Sequence, residues 1–509
     1  MPPEPPFLLL PFEIREQIYL EYMDVMGSSN FEYIFNHHTG KLRRRSRFAF
    51  RATQHVIDNF QCLMYTCKQV AAEMKGLPFH LHKIVFTTYF TEDVRNTARF
   101  FNYLHMRLFA DQVNVAYETA LEIKNSQDSI HPATLQAIKS SCPSVWPFWK
   151  EDHEDIGLTK NRWPCWGEVP SIYRQAQQKV MLLLASDQQL VKSQRFSEKT
   201  GLYHYSEENP DLASIIKFQN TPWDIPTNVE LNEMARILGC RPVFWNNTRR
   251  FSAAAVAIRW LNGLDPELRK HIRSLELRED YGGAVGYPEC HAIGLIPFCK
   301  ENPRLRIQRR LSLYNNVQRN TVQGFKGGDF EQDEFTDGGS GTARHWRVQM
   351  TRMVAEWLAE ASVLYTVYGM PQEAFTLVLD HERVVWSYEP PSPIRFLLQA
   401  AEWQAVSEEA FMGGDPLRPW RFIDAVGDDT HSYQCKNFPA MIEALVCGRD
   451  TVGTYGISIR KNFKFGNGLW TRERIREIVE DIKNKGMKAE HWSAECGQKS
   501  TRQMTFRYE

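Results

Sequence analysis

Residues 8–22 read LLLPFEIREQIYLEY, and this stretch decides how the N-terminal part of the chain is organised. Pro11 stands at a first-turn position, where a missing N–H costs nothing and the ring pre-sets φ. Glu13 follows in the first turn, where a carboxylate suits the positive end of the helix dipole. Ile14, Ile18, Tyr22 and Val25 recur at helical spacing, with Arg15, Glu16, Gln17 and Glu21 on the other side. The spacing predicts a helix over 11–26 whose apolar stripe is buried in the chain's own core or against a partner.

Working outward, 27–60 is a polar stretch containing KLRRRSRFAFR at 41–51. In 61–77, Leu63, Cys67, Val70, Met74 and Leu77 form one stripe, so a helix is expected over 61–76, closed by Gly76 and Pro78. KIVFTTYF at 83–90 reads as a strand. Helical patterns return at 94–124 and 171–193, separated by an irregular Trp- and Pro-rich segment at 142–170. A short helix near 229–238 opens the next block, followed by a helix at 253–262, a turn or short helix starting at Asp265-Pro266 and strands near 273–278 and 305–314. Trp346, Met350, Met353, Trp357, Ala361 and Leu364 give the strongest periodic signal, a helix over 346–368 stopped by Gly369 and Pro371. A strand at 375–380, a helix near 394–412, a strand at 457–465, a helix at 471–485 and a strand at 502–508 complete the pattern. No internal repeat is strong enough for a solenoid.

This pattern implies an α+β fold, mainly helical with short mixed strands. The chain of 509 residues is long for one hydrophobic core, so two or three domains or subdomains are expected. The regions are 1–125, a helical connection at 126–228, a mixed α/β block at 229–322, a Gly-rich acidic linker or loop at 323–343, and a C-terminal α+β region at 344–509. The apolar fraction of 43% excludes general disorder, and an aromatic share of 12% fits ring-rich cores or contact surfaces. Lys+Arg and Asp+Glu both number 61, so no global field draws the chain to nucleic acid or an anionic membrane. The ten cysteines form no C-x-x-C pair, which reads as reduced thiols inside the cell, with no disulfide and no zinc expected. The N-terminus lacks a basic n-region and a long apolar core, so no signal peptide is expected. No apolar run reaches transmembrane length.

The segment Leu10-Pro11-x-Glu13-Ile14-Arg15-x-x-Ile18-Tyr19 resembles the opening of an F-box. Thr66, Cys67, Lys68, Gln69 and Glu73 then follow a T-C-K-Q-x-x-x-E pattern. Asn247, Thr248 and Phe251 match an N-T-x-x-F step, and Ile272, Arg273, Leu275 and Leu277 match an I-R-x-L-x-L strand. In this order the landmarks are similar to those of F-box-like proteins of filamentous fungi, across about half the chain. PECHAIGLIPFC at 288–299 looks like a further block of that family. The V-C-x-x-W step that closes an F-box is here Cys67-Lys68-Gln69-Val70, without the Trp. The resemblance implies N-terminal helices that contact the adaptor of a cullin-RING ubiquitin ligase through Leu10, Pro11, Ile14, Ile18 and Tyr19, and a later region that holds a client protein. It also implies a cytoplasmic or nuclear location.

Candidate chemistry is sparse. Cys290, His291 and Cys299 are the best metal or nucleophile candidates, but a structural zinc needs four ligands in closely spaced pairs, and a cysteine nucleophile needs a positioned base. Buried structural residues are the simpler reading. Gly338-Gly339-Ser340-Gly341 lacks the Lys of a phosphate loop, Asp329, Asp333 and Asp337 have the wrong spacing for calcium, and 150–155 is a charge run. No catalytic, cofactor or metal residue is assigned. Asn246-Asn247-Thr248 is a sequon without a secretory context. The basic group Lys41, Arg43, Arg44, Arg45, Arg47 and Arg51 reads as an exposed connection or a nuclear-import signal, and specific nucleic-acid binding is not expected. The reading is therefore a non-enzymatic interaction protein, with two alternatives. One is a scaffold without ligase contact; the other is an enzyme with a dispersed site, betrayed by a polar pocket at Cys290, His291 or the acidic residues of 275–290.

Overall fold

A computed structural model describes residues 6–25, 31–36, 41–46, 63–125, 131–141, 169–186, 221–240, 249–318, 342–380, 393–412, 434–446, 457–459 and 472–487. The sequon at 246–248, the charge run at 150–155, Arg47, Arg51, the acidic and glycine motifs of 329–341 and the strand expected at 502–508 lie outside them.

The described residues are mainly helical around one sheet. Its strands are β1 (Phe31–Asn36), β2 (Lys41–Ser46), β3 (Lys83–Thr87), β4 (Ser274–Glu279), β5 (Arg306–Ser312), β6 (Phe375–Asp380) and β7 (Ile457–Ile459). They lie in the order β2-β1-β3-β4-β5-β6-β7, and every pair is parallel except β1 with β2. Parallel neighbours need long crossovers, and here those crossovers carry the helices. The N-terminal region, the 229–322 block and the C-terminal region each supply strands to this sheet. Buried side chains from all three join in one main core, running from Tyr19 to Leu445. A small second cluster forms around Val406, Ile475, Val479 and Ile482.

The helices are α1 (Phe12–Val25), α2 (Lys68–Glu73), α3 (Leu77–Leu81), α4 (Glu92–Asn125), α5 (Pro132–Ser141), α6 (Pro170–Ala185), α7 (Asn228–Ile237), α8 (Ala253–Asn262), α9 (Pro266–Arg269), α10 (Ile296–Glu301), α11 (Thr342–Thr366), α12 (Pro393–Ser407), α13 (Phe438–Val446) and α14 (Arg472–Asn484). Where caps and periodicity agree, the boundaries follow the sequence. Thr227 and Glu230 form a reciprocal capping box at the start of α7. Ser252 caps α8, whose inward residues from Ala253 to Ile258 are all buried.

The sequence reading differs from the structure in two places. The helix expected over 61–76 is broken: a short turn at Leu63–Tyr65 precedes α2, whose N-terminus is capped by the Cys67 sulfur accepting from Val70 N. Gly76 and Pro78 do not end a helix but stand at the start of α3, and residue 76 must be glycine because a Cβ there would fall 2.3 Å from the His271 ring. The polar stretch 27–60 contains an antiparallel strand pair, with Arg43 opposite Ile34 and Arg45 opposite Glu32. The cationic run 41–46 is thus an edge strand, a position where such charge discourages further strand pairing.

Side chains alternate across the sheet. Ile84, Phe86, Leu275, Leu277, Ile307, Leu311, Phe375, Leu377 and Leu379 occupy register positions of one face and are buried in the main core. Lys83, Glu276, Arg278, Arg310 and Asp380 occupy the other. Glu276 is 1% exposed there and receives Lys83, Arg278 and Arg310, while Arg310 also reaches Asp380 at 2.5 Å. Burial alone would raise the Glu276 carboxyl, but these three cations outweigh it and hold it down at about 2.

Candidate functional site

The N-terminal helix keeps Leu10, Ile14 and Ile18 exposed and buries Arg15 and Tyr19. Arg15 and Tyr19, four residues apart on one face of α1, point inward. Arg15 makes a bidentate pair with Glu73 of α2, Nε to Oε2 at 2.9 Å and Nη2 to Oε1 at 2.5 Å, and Nη1 donates to the carbonyls of Leu8 and Leu10. Tyr19 Oη donates to Glu73 Oε2 at 2.7 Å, and Gln69 Nε2 donates to Oε1 at 3.0 Å. The Tyr19 ring is fully buried, edge-on to Phe7 at 5.6 Å. Hydrogen bonds from Arg15, then from Tyr19 and Gln69, overcome partial burial and hold the Glu73 carboxyl down at about 2. Burial and the Glu73 carboxylate push the Tyr19 phenol up to about 12. The two segments that carry the F-box resemblance are therefore one locked unit, Arg15 and Tyr19 from the first closing on Gln69 and Glu73 of the second.

Of the five residues assigned to partner contact, four stay outside. Pro11 is exposed, and Leu10, Ile14 and Ile18 are 36%, 44% and 39% exposed. Tyr19 is the correction: it belongs to the main core, fully buried, with its hydroxyl on the Glu73 carboxylate. Leu9 and Phe12 add to the exposed set, so five of the ten exposed large hydrophobics among the described residues fall between 9 and 18.

A second feature lies beyond the carboxyl ends of β4 and β5, the end of a parallel sheet where ligands commonly bind. A cavity of about 220 Å³ is lined by the 283–289 loop that follows β4 and by Asn316 after β5. α4 contributes Asn102, His105 and Met106, α11 contributes Met353, Glu356 and Trp357, and Arg249 completes the wall. The loop turns through left-handed backbone at Gly283, Gly286 and Tyr287 (φ 79°, 78° and 61°). A Cβ on residue 286 would fall 2.1 Å from the Pro222 carbonyl oxygen, so only glycine fits. At Tyr287 a left-handed conformation is strained for a large side chain. Its ring is held by the Arg174 guanidinium 4.2 Å above it and by Phe109 at 5.6 Å.

Behind this loop is a buried ion pair. Glu279 takes Arg309 Nε and Nη2 on one oxygen at 3.0 and 2.7 Å, and it accepts from Ala253 N and Ala254 N at the start of α8. Arg309 also donates to the carbonyls of Pro288 and Glu289 and lies 4.3 Å from the Trp357 ring centre. One guanidinium thus ties strand β5, the cavity loop and α11 together. Glu279 is one of the acidic residues of 275–290 singled out in the sequence, whereas Arg309, within RRL, gave no signal there.

The cavity's charges are incompletely matched. Glu289 and Glu360 each lie 3.7 Å from Arg174. Glu360 Oε1 also accepts from Ser171 N, whereas its Oε2 has no hydrogen-bond partner among the described residues. Burial raises the Glu289 carboxyl well above its ordinary range; Arg174 opposes this, and the Glu356 and Glu360 carboxylates add to it. Arg249 is only half-buried, yet it makes no hydrogen bond or ion pair among the described residues, and desolvation lowers its pKa. The Asn102 side chain likewise has no partner there. His105 is buried, and desolvation carries its pKa down to about 3, so it is neutral.

Cys290 and His291 lie behind the wall rather than in it. The Cys290 thiol is buried, donates to Tyr287 O at 3.2 Å, and burial pushes it up to about 12. His291 Nε2 lies 2.7 Å from the Gly286 carbonyl, which can only accept, so Nε2 carries the proton. Nδ1 then accepts from Ser252 Oγ at 2.6 Å, while Ser252 Oγ accepts from Ala255 N. This serine–histidine contact is wholly buried, and its groups are spent on capping α8 and fixing the loop. Cys299 is buried in α10. Among the described residues, no three of His, Cys, Asp and Glu converge as a metal site, and no helix is long and apolar enough to cross a membrane.

The sequence carried a signal for the cavity: Gly282, Gly283 and Gly286 directly after a strand. Set against protein-family models, curated proteins and solved structures, the chain has no match in any of the three.

Proposed function

We propose that the N-terminal helices dock this chain onto the adaptor of a cullin-RING ubiquitin ligase, and that the rest of the molecule presents a client protein for ubiquitination. The observation that carries this reading is the split of α1 into an inward face, fixed by Arg15, Tyr19 and Glu73, and an outward face of Leu10, Pro11, Ile14 and Ile18. A helix whose aliphatic side faces water while its polar side is locked inward leaves a surface suited to an apolar groove on another protein. The motif order described for F-box-like proteins adds the adaptor as partner, and a cytoplasmic or nuclear location follows from it.

The test is capture of purified adaptor by the whole chain. Wild type should bind, and the Ile14→Lys/Ile18→Lys double variant should lose binding while keeping its melting temperature. If the wild-type chain captures no adaptor, the ligase reading fails and a scaffold role without ligase contact takes its place.

A further inference from the structure

We propose that the cavity at the carboxyl ends of β4 and β5 binds a free α-amino acid, with its carboxylate on Arg249 and its ammonium on Glu289 and Glu356. This assignment stands apart from the N-terminal face and does not depend on it.

Arg249 lines the cavity without an ion pair or hydrogen bond among the described residues, and desolvation already weakens its hold on its proton. A partly desolvated cation without a partner is costly, and an anion beside it recovers that cost. Asn102 lines the same cavity with unused amide donors and acceptor. The other charges there are carboxylates. Glu289 is 11% exposed, and among the described residues its one cation, Arg174, is 3.7 Å away and shared with Glu360; Glu356 takes Arg352 Nε at 3.2 Å. Glu289 is thus under-neutralised, and a second cation beside it would be stabilised.

A purely anionic ligand would satisfy Arg249 but meet Glu289 and Glu356. A purely cationic one would satisfy the carboxylates but meet Arg249. A molecule carrying both charges a few ångströms apart fits the set. Size narrows the class further. At about 220 Å³ the cavity is below the roughly 300 Å³ at which drug-sized pockets begin. Met106, Tyr287, Met353 and Trp357 supply an apolar and aromatic wall, which favours an aliphatic or aromatic side chain on the ligand.

The experiment is titration calorimetry of the whole chain with L-leucine, L-methionine and L-phenylalanine. Two truncated probes go with them: 3-methylbutan-1-amine, which lacks the carboxylate of leucine, and 4-methylpentanoic acid, which lacks its ammonium. At least one amino acid should bind, with both truncated probes at least tenfold weaker. Arg249→Met should weaken binding at least tenfold without lowering the melting temperature, because that guanidinium has no hydrogen bond or ion pair to lose among the described residues. Glu289→Gln should weaken the amino acid and leave 4-methylpentanoic acid unchanged or improved; Asn102→Leu, on the helix surface facing the cavity, gives a variant outside the ion cluster and should also weaken binding. The proposal is overturned if none of the three amino acids binds, if a truncated probe binds as tightly as its parent, or if Arg249→Met binds as wild type. Equal binding of L-leucine amide would also overturn it, by showing that the carboxylate is not read.

Discussion

Replacing Glu73 by glutamine should release the N-terminal helix while leaving its outward face unchanged. The carboxylate takes two hydrogen bonds from Arg15, one from Tyr19 and one from Gln69. Its pKa falls from 4.5 to about 2, and at about 1.4 kcal/mol per unit this bounds its contribution near 3 kcal/mol. Solvent screening at the module's edge reduces that to about 1–2 kcal/mol. Because the folded pKa is depressed, the stabilisation is complete above the unfolded value near 4.5 and is lost as pH falls from there towards about 2. Hydrogen exchange of the 12–25 segment reads this directly. At neutral pH Glu73→Gln should speed exchange there by about 5–30-fold. Lowering the pH from 5 towards 2 should loosen the wild-type segment, after correction for intrinsic exchange, and should not loosen the variant further. Ile14→Lys/Ile18→Lys should leave the exchange nearly as in wild type, since exposed substitutions cost about 0.5 kcal/mol or less each. A change below twofold in Glu73→Gln, or equal acceleration in the isoleucine variant, would refute the division of α1 into a locked and a free face.

Glu279→Gln should cost about 3–5 kcal/mol in urea denaturation, because it leaves Arg309, 1% exposed, without its countercharge and weakens the cap on α8. In native alkylation followed by mass spectrometry, Cys67 and Cys240, both half-buried, should react well before Cys290 and Cys299. Burial pushes the thiols of the latter two up to about 12 and shields them from reagent.

The sequence by itself determined the elements whose signals are local. α8 lies between Ser252 and Gly263 as the caps require, the periodic positions from Trp346 to Leu364 fall inside α11, which ends at Thr366, two residues before the expected 368, and the apolar 375–380 is β6. The mainly helical α+β class follows from such elements, because caps, periodicity and β-rich runs act within a few residues. The strand pair at 31–46 was hidden, since KLRRRS has the composition of a solvated connection and becomes a strand only by pairing with FEYIFN. Only the tertiary structure decided which face of α1 is inside. Helical spacing alone would bury the aliphatic stripe of Ile14 and Ile18. The buried side is instead chosen by a carboxylate 54 residues from Tyr19 and 58 from Arg15. Tertiary structure likewise gathered Arg249, Glu289, Glu356 and Asn102 around one cavity from four separate parts of the chain. Such long-range pairings leave no periodic trace, because the sheet order that brings them together depends on how whole crossovers pack.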